Sequence, residues 1–241
     1  MTFSSKTKDE LSRTEITDIL SARSEAAAMA RTMGYVTLKG LSKIEIEFST
    51  ENAAVARRVF KLLKTAFDIS TEVSIEKTNR LKKHNNYIVK ISDSRSKDFL
   101  QEIKIAGSNS ANFMMYDFGV PTELIKNDAC KRAYIKGAFM GCGSVSDPEK
   151  SYHAEFVNNR EEHSRGICKL LEDFGITGRT ILRKNYYVTY VKESEQISDL
   201  LALMGANNSV LQFENVRAIK ETRNQINRVI NCETANLDKI V

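Results

Sequence analysis

One stretch of this chain occurs twice, and that duplication constrains the fold more than any other feature. Ala133-Tyr-Ile-Lys-Gly-Ala-Phe-Met-Gly-Cys-Gly-Ser-Val145 reads as a helix of small residues ending in a Gly-Ser-Val turn. A weaker copy runs Glu25-Ala-Ala-Ala-Met-Ala-Arg-Thr-Met-Gly-Tyr-Val36. Counted from Gly34 and Gly143, the same landmarks follow in the same order. Phe48 closes the alternating run Ile44-Glu-Ile-Glu-Phe48, and Phe156 closes Tyr152-His-Ala-Glu-Phe156. Each run reads as a strand with one buried face: Ile44, Ile46 and Phe48, then Tyr152, Ala154 and Phe156.

Amphipathic helices come next. The first buries Val55, Val59, Leu62, Leu63 and Ala66 behind an Asn52 cap, and the second buries Ile167, Leu170, Leu171 and Phe174. Hairpin-like segments follow at 73–91 and 176–191, rich in β-branched and aromatic residues, and short helices at 94–105 and 193–204 close each unit. The expected fold is therefore α+β, with two αββαββα halves about a pseudo-twofold axis and antiparallel sheets forming a saddle. Ala26-Ala-Ala28 and Gly137-Ala138 mark the helices expected at the axis, because small side chains let backbones approach closely. The expected division is 1–106 for the first half, 107–128 for a connector, 129–213 for the second half and 214–241 for a C-terminal helix or linker.

The four cysteines, Cys130, Cys142, Cys168 and Cys232, are scattered without zinc-ligand spacing, so structural thiols in a reducing cytoplasm are expected and no metal or other cofactor. No apolar run is long enough for a membrane span, and Met1 to Glu10 lacks the apolar core of a secretory signal.

The net charge of +5 is placed unevenly. Between Val73 and Ile91, Lys77, Arg80, Lys82, Lys83 and Lys90 stand against Glu76 alone. Between Ile176 and Lys192, Arg179, Arg183, Lys184 and Lys192 stand against no acid. Matching basic hairpins around a twofold predict one symmetric basic saddle, a surface for duplex phosphates. The candidate DNA-binding residues are Lys77, Arg80, Lys82, Lys83, Arg179, Arg183 and Lys184. Tyr87, Tyr186, Tyr187 and Tyr190 interleave them, as packing residues more than as base-stacking platforms.

Ile135-Lys-Gly-Ala-Phe-Met-Gly-Cys-Gly-Ser-Val145 resembles the LAGLIDADG motif of homing endonucleases. The longer run Ala133 to His153 is similar to the WhiA family of sporulation and cell-division regulators. So are Met1 to Leu11, Thr50 to Arg58, Arg80 to Lys83 and Asn227 to Asn236. The resemblance implies a degenerate, monomeric LAGLIDADG scaffold tethered to a C-terminal helix-turn-helix domain. That domain is expected to begin about where this chain ends. It further implies a nucleoid-associated regulator of transcription acting in sporulation, cell division and chromosome segregation. Double-stranded DNA is the implied partner, with other transcription or division proteins beside it.

Cleavage needs carboxylates to hold a hard cation. The alignment instead puts Arg31 and Met33, then Met140 and Cys142, at the motif's acidic positions. The residue just before each turn glycine, Met33 or Cys142, is expected to point out at the foot of its sheet, and Arg31 beside a cation site would repel the ion. Glu45, Glu47 and Glu155 could supply displaced oxygens, but read better as solvated or ion-paired glutamates. His153 and His163 read as surface or packing residues. A non-catalytic DNA-binding regulator is therefore expected. A metal-dependent endonuclease with displaced carboxylates and a protein-docking platform are the alternatives.

Overall fold

The molecule is described by a computed structural model covering residues 1–39, 43–77, 85–91, 93–107 and 116–237. The repeat is present as expected. The first unit comprises α2 (Ile19–Met33), β1 (Gly34–Lys39), β2 (Lys43–Thr50), α3 (Ala53–Phe67), β3 (Thr71–Lys77), β4 (Asn85–Ile91) and α4 (Asp93–Glu102). The second comprises α5 (Asp128–Cys142), β5 (Gly143–Val145), β6 (Ala154–Asn158), α6 (Glu161–Glu172), β7 (Arg179–Arg183), β8 (Tyr186–Val191) and α7 (Ser194–Met204). The two antiparallel sheets have equivalent strand orders, β1-β2-β4-β3 and β5-β6-β8-β7. Outside the repeat lie α1 (Phe3–Ser12) and the long α8 (Asn207–Leu237), which runs unbroken across residues 213 and 214.

Local chemistry sets the helix starts. Asp18 accepts from the Ser21 backbone N–H at 2.8 Å and Asn127 from that of Cys130 at 2.8 Å, so both motif helices begin with an equivalent cap. Asn52 caps α3 by accepting from Ala54 and Val55. The apolar stripes expected on α3 and α6 are buried, except that Phe174 lies just past α6 and is half-buried. The strand expected from Tyr152 starts at Ala154, because a turn at Asp147–Lys150 precedes it. Tyr152 packs instead on Phe213 of α8.

Helices α2 and α5 cross at the centre of one continuous core. A Cβ added to Gly137 would lie 2.4 Å from the Glu25 carbonyl oxygen and 3.1 Å from the Ala28 Cβ. One added to Gly141 would lie 1.9 Å from Thr32 Oγ1. Any larger residue at these points would force the helices apart. All helices of each unit pack on one face of its sheet, so Ile46, Phe48, Val89 and Ile91 are buried in the first and Ala154, Phe156, Thr189 and Val191 in the second. Among the described residues, no helix of either unit packs on the opposite face of its sheet.

Candidate nucleic-acid interface

The ends of α2 and α5 differ from the sequence expectation. Met33 does not point out beneath its sheet but is buried in the core, as is Met140. Arg31 does not lie beside a cation site. Its guanidinium turns inward and donates to the carbonyls of Gly119 (2.7 Å), Lys104 (2.9 Å), Ile103 (3.0 Å), Ala27 (3.2 Å) and Asp117 (3.4 Å). A buried arginine with five fixed donors organises irregular backbone well, so the side chain pins the segments on either side of 107–116 to α2. Burial lowers its pKa, partly offset by Tyr134 and Asp117.

Cys142 is half-buried, with its thiol 3.5 Å from Asn158 Oδ1. The same oxygen lies 3.0 Å from His163 Nδ1, and His163 Nε2 lies 2.8 Å from the Tyr134 hydroxyl. This Cys142–Asn158–His163–Tyr134 chain was not visible in the sequence, where its members are scattered over 29 residues and show no motif spacing. It lacks the geometry of a nucleophile and base, since Asn158 separates thiol from imidazole. Burial pushes the Cys142 thiol up to about 12, and burial together with Arg31 holds His163 down to about 3. Both are therefore neutral and serve packing, the role expected for His163.

Lys8 of α1 reaches the same region, with its ammonium near the Cys142 thiol and 6.0 Å from the Phe139 ring. A cation thus stands where a metal would need oxygens. The displaced-carboxylate candidates are engaged elsewhere. Lys90 bridges Glu45 (2.9 Å) and Glu47 (3.5 Å), while Glu155 meets His153 (3.1 Å) and Ser144 (3.3 Å). Among the described residues no three His, Cys, Asp or Glu side chains converge on a metal-sized site.

The helix-free faces of the two sheets differ in charge. On the second, strand register aligns Arg179 with Tyr190, Ile181 with Val188 and Arg183 with Tyr186. Arg179, Ile181, Arg183 and Tyr186 are all exposed, and Tyr190 lies between the His153 ring (5.9 Å, stacked) and Lys192 (5.1 Å). Lys184 and Asn185 form the tight turn with φ of 48° and 66°, which holds Lys184 out in solvent. Three of the expected site residues, Arg179, Arg183 and Lys184, are thus brought together on one hairpin.

The first sheet does not match it. Its helix-free face aligns Glu47 and Glu72 with Lys90, and Glu76 with Asn86. Lys90 is neutralised there by Glu45 and Glu47. Lys77 is exposed but lies in register with Val73 and Ile75, on the other face. Arg80, Lys82 and Lys83 fall outside the described residues. The expected symmetric basic saddle is therefore not what the described strands carry: one sheet face is basic and aromatic, the other acidic. Counting charge per hairpin missed this, because alternation sends neighbouring residues to opposite faces. The tyrosines divide the same way, Tyr186 and Tyr190 on the open face and Tyr87 and Tyr187 on the helix side.

Two family models match the repeats, the WhiA N-terminal LAGLIDADG-like domain over residues 21–106 and the WhiA LAGLIDADG-like domain over residues 131–223. The chain is 43% identical to the probable cell division protein WhiA of Thermoanaerobacter pseudethanolicus and 45% identical to that of Alkaliphilus metalliredigens. Each match covers 100% of this chain and 76% of the relative. Full-length DUF199/WhiA from Thermatoga maritima superposes with a TM-score of 0.73 at 23% identity, over 99% of this chain and 74% of that one. The homing endonuclease I-DmoI, solved in complex with DNA and Mn, shares the fold with a TM-score of 0.54 at 13% identity, over 78% and 98% of the two chains. With its two repeats matched by separate family models and relatives aligned along its whole length, the chain belongs to the WhiA family.

Proposed function

We propose that this chain is a non-catalytic, DNA-binding regulator of transcription, acting in cell division, sporulation and chromosome segregation as a nucleoid-associated cytoplasmic protein. The observation that carries the reading is the open face of β7 and β8, where Arg179, Arg183 and Lys184 stand exposed beside Tyr186. Cationic side chains on a helix-free sheet suit phosphate contacts, which position a protein on duplex DNA but carry little sequence information. Arg80, Lys82 and Lys83 belong to the same proposal by sequence. Loss of cleavage is supported by Lys8 beside Cys142, by Met33, Met140 and Arg31 turned into the core, and by the pairing of Glu45, Glu47 and Glu155.

A second reading has its own support. The acidic helix-free face of the first sheet, with Glu47, Glu72 and Glu76 against Lys90, disfavours phosphates and favours that half as a protein-docking platform. Fluorescence anisotropy with duplex oligonucleotides at several salt concentrations separates the two. Salt-sensitive binding weakened by reversing Arg179, Arg183 and Lys184 supports the DNA reading. Binding indifferent to those reversals leaves the docking platform.

A further inference from the structure

Helix α8 leaves the body of the protein partway along its length. Its first turns are fixed there. Glu10 accepts from the backbone N–H groups of Asn208 (2.7 Å) and Ser209 (3.0 Å), Phe213 packs on Phe3 and Tyr152, and Lys220 donates to the Pro148 carbonyl at 2.7 Å. Beyond Lys220, every residue from 221 to 234 is exposed. That stretch is a poor helix former on its own, with Asn224, Asn227 and Asn231 set among the β-branched Thr222, Ile226, Val229, Ile230 and Thr234. A helix of such composition draws its stability from packing of an apolar face rather than from propensity. The face is present: Ile219, Ile226, Val229 and Ile230 are each more than half exposed.

The charges on this face say what covers it. Ile219, Arg223, Ile226, Ile230 and Glu233 follow one another at alternating steps of four and three residues, the spacing of a coiled-coil seam. The flanking Thr222, Asn227 and Thr234 carry no charge. The ion pairs of α8 are those of Arg217 with Glu195, Glu214 and Glu221; among the described residues Arg223 and Glu233 make none. The seam complements itself in one direction only. An antiparallel copy, related by a twofold axis level with Arg228, sets Ile226 against Ile230 of the partner subunit and Arg223 against Glu233 of the partner subunit. Arg228 is two residues from both Ile226 and Ile230, so it lies on the far side of the helix and no like charges meet at the axis. A parallel copy would instead set Arg223 and Glu233 each against its own counterpart, where like charges repel. The antiparallel register also brings the partner subunit's Lys220 level with position 236, so the two bodies stand about 24 Å apart along the helices and do not collide.

We propose that the exposed half of α8 pairs with α8 of a second copy of this chain as an antiparallel coiled coil, with Ile226 and Ile230 at its centre and the Arg223–Glu233 pairs toward its ends. Each chain already holds both repeats, so the contact joins two molecules and adds nothing to the internal twofold. It is independent of the reading of β7 and β8 as a DNA surface. About four turns of paired helix bury less than a standard interface, so association is expected at roughly 10–100 µM chain.

The test is sedimentation equilibrium of the chain without DNA, from about 5 to about 500 µM, a range that brackets the affinity expected of so small an interface. A monomer–dimer equilibrium is expected for the parent. Ile226→Asp puts a charge into the seam and should leave only monomer. Arg223→Glu and Glu233→Arg should each weaken the dimer about tenfold or more, since each replaces two attractive pairs by two repulsive ones. The double variant Arg223→Glu/Glu233→Arg should recover the parent's affinity, which neither a parallel pair nor loose apolar adhesion would give. All four substitutions alter exposed positions, so the thermal melting of the body should stay at the parent's value when measured below the dimer range. A parent chain that is monomeric throughout the range overturns the proposal and leaves the seam to a different protein. A dimer that survives Ile226→Asp overturns it by placing the interface elsewhere. Single reversals that weaken the dimer without recovery in the double variant overturn the antiparallel register.

Discussion

Gly137 of α5 faces the Glu25 carbonyl of α2 so closely that a Cβ would come within 2.4 Å of that oxygen. The central helix pair thus depends on a missing side chain. Gly137→Ala should destabilise the protein by about 1–3 kcal/mol through overpacking, and Gly137→Leu by more. Urea denaturation checks this, and an unchanged midpoint in Gly137→Leu would mean that the helices are not in contact here.

Glu25 also anchors a buried ion cluster. It takes both arms of Arg58, at 2.6 and 2.8 Å, and Lys136 at 2.9 Å, while Arg58 also donates to the Thr14 carbonyl. Arg58→Met leaves an under-compensated carboxylate in the core and should cost about 3–5 kcal/mol. Replacing Glu25, Arg58 and Lys136 together with apolar residues should recover much of that loss. A triple variant as unstable as Arg58→Met would show that packing, not charge, dominates.

Cleavage should not return on supplying one carboxylate. Cys142→Asp meets Lys8 rather than a metal, and the equivalent position on α2 is the buried Met33. Incubation of this variant with plasmid DNA and Mg²⁺ or Mn²⁺ is expected to give no nicking above background. Metal-dependent nicking that co-purifies with the variant refutes this.

Reversing Arg179, Arg183 and Lys184 to Glu should weaken duplex binding for all sequences alike. It should also reduce the salt slope by about 0.9 for each phosphate no longer neutralised, from a starting Kd of roughly 10⁻⁴–10⁻⁶ M. Reversing Arg80, Lys82 and Lys83 should act in the same direction. Arg223→Glu on α8 is the proper control and should matter little. Lys220 is a poor one, since it donates to the Pro148 carbonyl at 2.7 Å and lies 4.9 Å from the centroid of the Tyr152 ring.

His163 should make the fold acid-sensitive. Its folded pKa, near 3, lies below the ordinary 6.5, so below about pH 6 the unfolded chain binds a proton that the folded one refuses. Stability from this residue is present at neutral pH and is lost as pH falls toward 3, by about 1.4 kcal/mol per pH unit. Urea midpoints measured from pH 7.5 to 4 should fall less steeply in His163→Gln than in the parent. Equal slopes would place the acid sensitivity elsewhere.

Periodicity and small residues were enough to read the duplication, the order of elements, the core stripes of α3 and α6, the Asn52 cap and the pairing of α2 with α5. The pattern that signals each of these lies within a turn or a strand, so local sequence carries it. The site was only partly legible. That Arg31 binds carbonyls up to 88 residues away, that Lys8 reaches Cys142, and that Asn158 joins Cys142 to His163 depend on which elements pack together. The two hairpins show the same division. Sequence gives each its basic surplus and its alternation, but only the helices packed against one side of the sheet decide that Arg179 and Arg183 face the open surface while Lys77 does not.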